Sequence, residues 1–329
     1  MTKVAVRGGD GYDLLVSAVA VADPDWRSVL AHGPAVWSAV RGSGGGELTR
    51  AAARFGRFGW INLIGLLATS GGKGDRAALL DLLTRTPPDR LRFVAAGGER
   101  QQLRERVGVD RFQAALDGDA AANRELNRAL ASPGMLPEVS PWIRRVSDEG
   151  LKDTLLGVAQ AWPDLPVEHR PNTTSARLRA VGPAALLGEV TPGIRYGPDV
   201  LERVVLVGSV LVEPILISVD QSDATVIVHP PLGAEGMADA ASSLREQGNA
   251  VGDETRILVL HELRAGPRTL AELCARLDRP RTTLLHHLAL LRAAGFVTLS
   301  VAAGEPNVYR IDPAGFERLA RAARGFVLE

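Results

Sequence analysis

The sequence contains a single cysteine, Cys274, among its 329 residues. One thiol excludes an intrachain disulfide, and it excludes a zinc site built only from the cysteines of one chain. No stretch reaches the roughly 18 consecutive apolar residues of a membrane-spanning helix, and the N-terminus lacks the long apolar run of a signal peptide. These absences predict a soluble, cytoplasmic protein without a membrane partner.

Neither sign of charge is in excess, because 38 Lys and Arg residues balance 38 Asp and Glu residues. Zero net charge excludes a wholly electrostatic binder of nucleic acid, although it leaves room for a local basic face. Apolar residues make up 46% and charged residues 23% of the chain, as is usual for globular proteins. At about 150 residues per domain, the length predicts about two domains.

Sequence motifs of enzyme active sites are also absent. The glycine-rich stretch 70–75 lacks the Ser or Thr that follows Gly-Lys in a phosphate loop, and we interpret it as a solvated turn. His261 and Glu262 begin like a zinc-protease motif, but Ala265 stands where the second histidine is required. The sequence therefore predicts no catalytic residue, no cofactor and no metal site.

Composition divides the chain into two regions and predicts an α+β fold that is mainly α. Residues 1–234 are predicted to form a helical domain with a small β-region at about 203–229, where Val, Ile and Leu are concentrated. Gly, Pro and Asp punctuate the helical segments. The predicted helices span residues 12–22, 34–41, 48–58, 75–86, 88–96, 99–107, 120–131 and 141–162.

The region 235–329 has the element order of a winged helix-turn-helix. Thr269 and Glu272 stand at the two positions of a capping box, while Leu284, Leu288 and Leu291 recur on one helix face, as a core contact requires. The helix after the turn in this fold enters the major groove of DNA. Helices are predicted at 237–247, 253–264, 269–276, 280–294 and 313–324, with strands at 296–301 and 307–311.

DNA contacts are predicted at the start of the fourth of these helices and in the wing. The first turns of the helix are polar, and a helix N-terminus offers free N–H groups to a phosphate. His286 and His287 are adjacent and cannot share a helix face, so we expect one to face DNA and the other to pack inside. The predicted DNA-binding residues are Arg279, Arg281, Thr282, Thr283, His286, His287 and Arg310.

Four motifs of this region resemble those of ArsR-type repressors. GDETRILVL at 252–260 is similar to their first-helix signature and RTTLLHHL at 281–288 to their recognition helix, while LRAAGFV at 291–297 and VYRI at 308–311 resemble the wing segments. The resemblance implies a homodimer that represses transcription from a near-palindromic operator in double-stranded DNA. Many such proteins bind metal through Cys-x-Cys before the recognition helix, but Cys274 has no partner cysteine.

The N-terminal domain is predicted to sense a small molecule and to control operator binding, because the module from residue 235 already contains what the fold needs to bind DNA. All five tryptophans lie in this domain, and aromatic side chains commonly line ligand cavities. Core packing is the alternative role for most of them. The candidate ligand-binding residues are Trp26, Trp37, Trp60, Trp142 and Trp162.

Two other functions remain open. One is an enzyme or resistance protein with an appended regulatory DNA-binding module, which a pocket of convergent titratable groups would favour. The other is an interaction protein whose winged helix binds protein, which a lack of DNA binding at low salt would favour.

Overall fold

The computed structural model describes residues 2–44, 46–131, 139–167, 173–197, 200–232, 240–302 and 305–328. These residues form a mainly helical structure with two four-stranded sheets, which confirms the predicted fold class. None of their helices is long and apolar enough to cross a membrane.

The first elements in chain order are β1 (Lys3–Arg7), α1 (Asp10–Ala22), α2 (Pro24–Val29), α3 (Gly33–Ser43), α4 (Glu47–Phe55), α5 (Arg57–Thr69), α6 (Arg76–Arg85), α7 (Pro88–Ala95), α8 (Gln101–Val107), α9 (Val109–Leu116), α10 (Ala120–Leu130), α11 (Pro141–Arg145) and α12 (Asp148–Ala161). The next are α13 (Thr174–Val190), β2 (Ile194–Tyr196), β3 (Arg203–Gly208), a short 3-10 turn (Val210–Val212), β4 (Ile217–Asp220) and β5 (Thr225–His229). The last are α14 (Ala240–Val251), α15 (Glu254–Arg264), β6 (Arg268–Thr269), α16 (Leu270–Leu277), α17 (Arg281–Ala293), β7 (Val297–Val301), β8 (Val308–Ile311) and α18 (Pro313–Leu328).

The chain folds into two compact units. The N-terminal unit comprises Met1–Ser175 and Arg203–Pro231, and the C-terminal unit comprises Ala176–Glu202 and Leu232–Glu329. The sequence places residues 176–202 in the N-terminal domain, but here they join the C-terminal unit because β2 pairs with β7. The polypeptide therefore passes from one unit to the other three times.

A mixed sheet with strand order β1-β3-β5-β4 forms part of the N-terminal core. β1, β3 and β5 are parallel, and β4 is antiparallel to β5. Val204–Val207 and Val226–Val228 are buried without alternation, as expected for strands that are covered on both faces. The predicted β-region thus contains three strands, whereas β1 at the opposite end of the sequence was not predicted.

Two apolar helices fill the space beside this sheet. α1 is buried from Gly11 to Val21 and packs against α3, α4, α5 and α6. α5 lies against β3, β4 and β5. The predicted helix 48–58 ends early because Gly56, with φ of 78°, breaks the chain between α4 and α5. The predicted helix 141–162 is two helices, because Ser147 caps α12 by accepting a hydrogen bond from the Gly150 N–H at 3.1 Å.

Arg92 on α7 connects the helices at one end of the N-terminal unit. Its side chain is buried and donates to the carbonyls of Ile143 and Arg144, each at 3.1 Å, and to the carbonyl of Leu116. It also donates to the Asp148 carboxylate at 3.1 Å. These carbonyls lie near the C-termini of α9 and α11, where no intrahelical donor remains. The Arg92 guanidinium therefore donates to carbonyls at the C-termini of α9 and α11 and to a carboxylate at the start of α12.

The C-terminal unit has its own core and its own sheet, ordered β2-β7-β8-β6. Leu284, Leu288 and Leu291 are buried in this core, as their spacing predicts. The capping box of Thr269 and Glu272 is formed, with both reciprocal hydrogen bonds present. Part of the first predicted helix, 237–239, lies outside the described residues.

Strand β2 closes the edge of β7 and is fastened by a buried arginine. Ile194–Tyr196 pairs in parallel with Leu299–Val301. Gly193 O accepts from Leu299 N at 2.8 Å, and Gly197 N donates to Val301 O at 2.7 Å. Arg292, which is 6% exposed, donates from Nη1 to Pro192 O at 2.7 Å. A segment about one hundred residues upstream is thus part of the winged module.

The helix that leads into β2 is sharply bent. Gly182 has φ of 79° inside α13, and Pro183 follows it. Arg177 and Glu189 form two hydrogen bonds of 2.8 Å across the bend. In a straight helix, residues twelve apart would be separated by about 18 Å along the axis. This ion pair therefore links the two halves of the bent helix.

Asp253, the cap residue of α15, also lies close to the buried His287 of α17. Asp253 caps α15 by accepting from Arg256 N at 3.0 Å, and its Oδ1 lies 3.5 Å from His287 Nδ1. Burial lowers the pKa of His287, with Arg256 acting in the same direction and Asp253 opposing. Burial alone would raise the pKa of Asp253, but the Arg256 amide and His287 outweigh it and lower the pKa.

Replacing Arg92 with Met should lower the free energy of unfolding of the N-terminal unit by about 3–5 kcal/mol, because three carbonyls and one carboxylate lose a buried cationic partner. Urea unfolding followed by tryptophan fluorescence measures this, since all five tryptophans lie in that unit. The matched control is Arg85→Met, which removes an exposed pair with Asp81 and should cost less than about 0.5 kcal/mol. Equal losses for the two variants would contradict the role of Arg92.

The lowered pKa of His287 predicts that stability decreases as the pH falls. Since the folded protein binds the His287 proton less readily than the unfolded chain does, its contribution to stability is lost below the ordinary histidine pKa of about 6.5. In unfolding experiments between about pH 8 and pH 5, His287→Asn should show a weaker pH dependence than the original protein. Burial also lowers the pKa of His229. Because His229 is present in both proteins, its contribution cancels when the two pH profiles are subtracted. Identical pH profiles would refute the prediction.

Candidate nucleic-acid interface

The helix-turn-helix is formed by α16, a tight turn and α17. α16 ends at Leu277, and Asp278 adopts a left-handed conformation with φ of 48°, which Asp tolerates better than most residues. Arg279 and Pro280 complete the turn, and α17 begins at Arg281. The turn between α16 and α17 therefore consists of three residues, 278–280.

The start of α17 differs from the starts of the two helices before it. Asp253 caps α15 and Thr269 caps α16, each through its side chain. The N-cap residue of α17 is Pro280, and no side chain caps this helix within the described residues. The first backbone N–H groups of α17 therefore have no side-chain acceptor, and together with the positive end of the helix dipole they suit an anionic oxygen.

The predicted contact residues differ in how far their side chains are exposed to solvent. Arg279 in the turn and Arg310 on β8 are exposed, while Arg281, Thr283 and His286 on α17 are partly buried. Thr282 belongs to the first turn of α17, and its side chain lies outside the described residues. Arg281 acts electrostatically on both Cys274 and Tyr309. α17 packs against α16.

His287 is the histidine that packs inside. Its side chain is 9% exposed and lies against Asp253, so of the two predicted histidine contacts His287 is the less accessible to DNA. His286 is partly exposed, and the two rings are 5.2 Å apart between centroids. Position on the helix decides the difference, because His287 follows Leu284 and precedes Leu288 on the buried side of α17.

Cys274 is partly buried on α16 beside the C-terminal core. Burial raises the pKa of its thiol, and Arg281 acts in the opposite direction. A metal ligand would need the thiolate, which this environment disfavours. In the parts of the chain that the structure describes, no group of three or more His, Cys, Asp or Glu residues is arranged to hold a metal ion.

The wing carries its positive charge on its strands. Of the turn 302–306, residues 303 and 304 lie outside the described residues, and Ala302, Glu305 and Pro306 supply no cation. Arg310 on β8 is exposed, and so is Arg195 on β2. Arg195 was not among the predicted contacts, since no local pattern connects a three-residue strand with a wing about one hundred residues later.

The structure separates the five tryptophans into two groups. Trp60 and Trp162 are buried with ring centroids 6.5 Å apart, and Trp142 lies 6.4 Å from Phe55 in the same core. Their indole N–H groups are partly used within the protein: that of Trp60 donates to Ala52 O and that of Trp162 to Ser17 Oγ. Trp37 lies under the Arg27 guanidinium at 3.6 Å, and Trp26 lies 6.0 Å from that of Arg57. The indole N–H groups of the buried pair are therefore satisfied within the protein.

The glycine-rich stretch 70–75 leads into α6, whose N-terminus is already occupied by carboxylates. Asp75 accepts from Ala78 N at 2.8 Å, and Asp10 accepts from Arg76 N at 2.8 Å. Two acidic side chains at the amides that would hold a phosphate oppose phosphate binding there.

Comparison with known proteins identifies one part of the chain. Residues 251–300 match a family model described as a helix-turn-helix domain. The matched stretch runs from the end of α14 through α15, α16 and α17 into β7. No curated protein and no solved structure matches the chain. The C-terminal unit therefore contains a helix-turn-helix domain, the kind of domain that DNA-binding regulators use.

Proposed function

We propose that this protein is a cytoplasmic, homodimeric repressor of the ArsR type, which binds a near-palindromic operator in double-stranded DNA and is controlled by a small molecule bound to the N-terminal unit. The observation that carries the proposal is the recognition helix α17, which follows a three-residue turn and begins without a side-chain cap. Arg279, Arg281 and Thr283 stand at its start. This arrangement suits a helix whose N-terminal residues contact base edges and phosphates.

The ArsR-type assignment rests on where the four motifs lie. The motif at 252–260 covers the cap and most of α15, and the motif at 281–288 forms the first half of α17. The motif at 291–297 contains the end of α17, Gly295 with φ of 77°, and the start of β7. VYRI at 308–311 is strand β8. These positions support the ArsR-type assignment.

A homodimer follows from the operator symmetry that the resemblance implies. Two copies of α17 would enter major grooves one helical turn, about 34–36 Å, or a multiple of it apart. A dimer that changes this spacing loses one half-site, so a modest change in geometry is enough to release the operator. Occupancy of a promoter by such a dimer excludes polymerase, which makes repression the simplest outcome.

The N-terminal unit is the proposed sensor because it has a separate core and a direct covalent route to the wing. Residues 197–202 join β2 in the wing sheet to β3, which is paired on both sides in the N-terminal sheet. A ligand that binds two states of this sheet unequally would bias the position of β2. Couplings of this kind are typically about 1–3 kcal/mol.

Operator binding should depend on Arg281 and Thr283. With an operator selected from a random duplex pool, Arg281→Ala should weaken binding by about 1–3 kcal/mol if it reads a guanine. Arg281→Lys should retain binding to random DNA but lose operator preference, because an ammonium cannot form the bidentate contact. Fluorescence anisotropy at physiological salt measures both effects. Thr283→Ala is expected to weaken binding through a lost phosphate or thymine-methyl contact.

Arg85→Ala is the control for these variants, since it removes one exposed charge from the N-terminal unit. It should leave operator affinity unchanged. Unaltered operator affinity in the double variant Arg281→Ala, Thr283→Ala would show that α17 is not the recognition helix.

The effector should bind where the tryptophans are. A small apolar or amphipathic compound that changes operator affinity should also change tryptophan emission at the same half-saturating concentration, because all five tryptophans lie in the N-terminal unit. Trp37→Phe and Trp26→Phe test the two partly buried rings that lie against arginines. Screening a metabolite library against the full chain, with anisotropy and emission recorded on each sample, makes the measurement. An effector that releases DNA without any change in emission, in the original protein and in both variants, would place the sensor elsewhere.

A further inference from the structure

Strand β2 places Arg195 in the wing sheet, although this residue lies about one hundred positions before the wing in the sequence. In this strand Arg195 is exposed, whereas Ile194 and Tyr196 on either side are partly buried. Tyr196 is level with Val301, which lies on the same face of β7 as Leu299, the residue paired with the buried Tyr309, so Tyr196 faces the domain interior. Because side chains alternate along a strand, Arg195 points to the opposite, outer face of the wing sheet.

The strand register places Arg195 on the same face as Arg310. Arg195 is level with Ser300 of β7, and Ser300 is level with Val308 of β8. Arg310 lies two residues further along β8, level with Thr298, and is also exposed. At about 4.8 Å between strands and about 3.3 Å per residue, the two arginine Cα atoms are about 12 Å apart. Two arginine side chains attached at this separation are long enough to reach two different phosphates.

The outer face is positive and without acidic neighbours in register. Neither Arg195 nor Arg310 forms an ion pair with a described residue, unlike Arg177 and Arg276 of the same unit. Ser300 and Val308, which lie between the two arginines, are uncharged and partly exposed. The only described charge in the turn 302–306 is Glu305. Positive charge is thus available on the strands and not at the described part of the tip.

We infer that Arg195, together with Arg310, binds the DNA phosphate backbone beside the recognition helix. The inference rests on the proposed DNA-binding function and adds a contact from outside the helix-turn-helix. The ligand chemistry is a phosphodiester oxygen and not a base, because the two arginines lie on the outer face of the wing sheet and not on the helix that would enter the groove. Such contacts position the protein and contribute affinity without reading sequence.

This assignment gives β2 a second role besides closing the edge of β7. The strand that supplies the phosphate contact is also the strand that continues through residues 197–202 into the N-terminal sheet. Displacement of β2 would remove a DNA contact directly, in addition to disturbing the wing.

The test uses the full chain and a random-sequence duplex of about three helical turns, because a phosphate contact needs no operator. Anisotropy is recorded between about 50 and 200 mM salt. Arg195→Ala should weaken binding by about three- to tenfold and lower the slope of log affinity against log salt by about 1. Arg195→Lys should keep the original slope. Arg85→Ala, which removes an equal charge from the N-terminal unit, should leave the slope unchanged.

Two variants of β7 test the same face without altering β2. Ser300→Lys should raise the salt slope by about 1, and Ser300→Glu should weaken binding. If thermal unfolding shows that Arg195→Ala does not fold, the two Ser300 variants alone decide whether this face of the wing sheet contacts DNA phosphates.

The outcomes separate this inference from the proposed function. Binding of the original protein that responds to Arg281→Ala, but not to Arg195→Ala or to either Ser300 variant, overturns the phosphate contact and leaves the proposed function standing. No binding of the original protein to any duplex at low salt overturns both.

Discussion

The winged module depends on one buried guanidinium, that of Arg292. A buried charge is costly unless it is hydrogen-bonded, and Arg292 obtains its partner from Pro192 O, a carbonyl about one hundred residues upstream. The bond holds β2 on β7, which would otherwise present an open edge with unpaired N–H and C=O groups. The fragment from residue 235 onward, which the sequence indicates is self-sufficient, therefore lacks a strand of its own sheet and the acceptor of its buried arginine.

This arrangement changes how a signal would reach the DNA. A single boundary between residues 234 and 235, as the sequence predicts, allows one connection between the two regions. The chain in fact makes two further crossings, and the one at 197–202 runs between strands at both ends. Six residues span at most about 20 Å, and each end is fixed by backbone pairing. In the proposed function, a shift of β3 would therefore reach β2 through the connecting chain.

Features with local signals were predictable from the sequence, and features with distant partners were not. The capping box at Thr269, the leucine stripe of α17 and the helix end at Gly295 each need only neighbouring residues, so the helix-turn-helix and its wing were found. β1 and β2 are short, and their partners lie about two hundred and one hundred residues away. α5 is apolar on every side, so it has no amphipathic period. His287 packs inside because it lies between Leu284 and Leu288 on the buried side of α17, but its contact with Asp253 depends on a position that only the folded structure supplies.

Electrostatics explains why a few arginines carry so much of the proposed binding. With 38 basic and 38 acidic residues, the chain has no net charge that would attract DNA over long distances. Its affinity for random sequence must come from a small number of local cations, and each lost phosphate contact reduces the salt dependence by a measurable step. A regulator competes with a very large excess of non-specific sites, so the ratio of operator to random binding matters more than either affinity. In the proposed complex, weak backbone attraction would leave that ratio to the base contacts of α17, and the phosphate contacts of the wing would orient the helix in the groove.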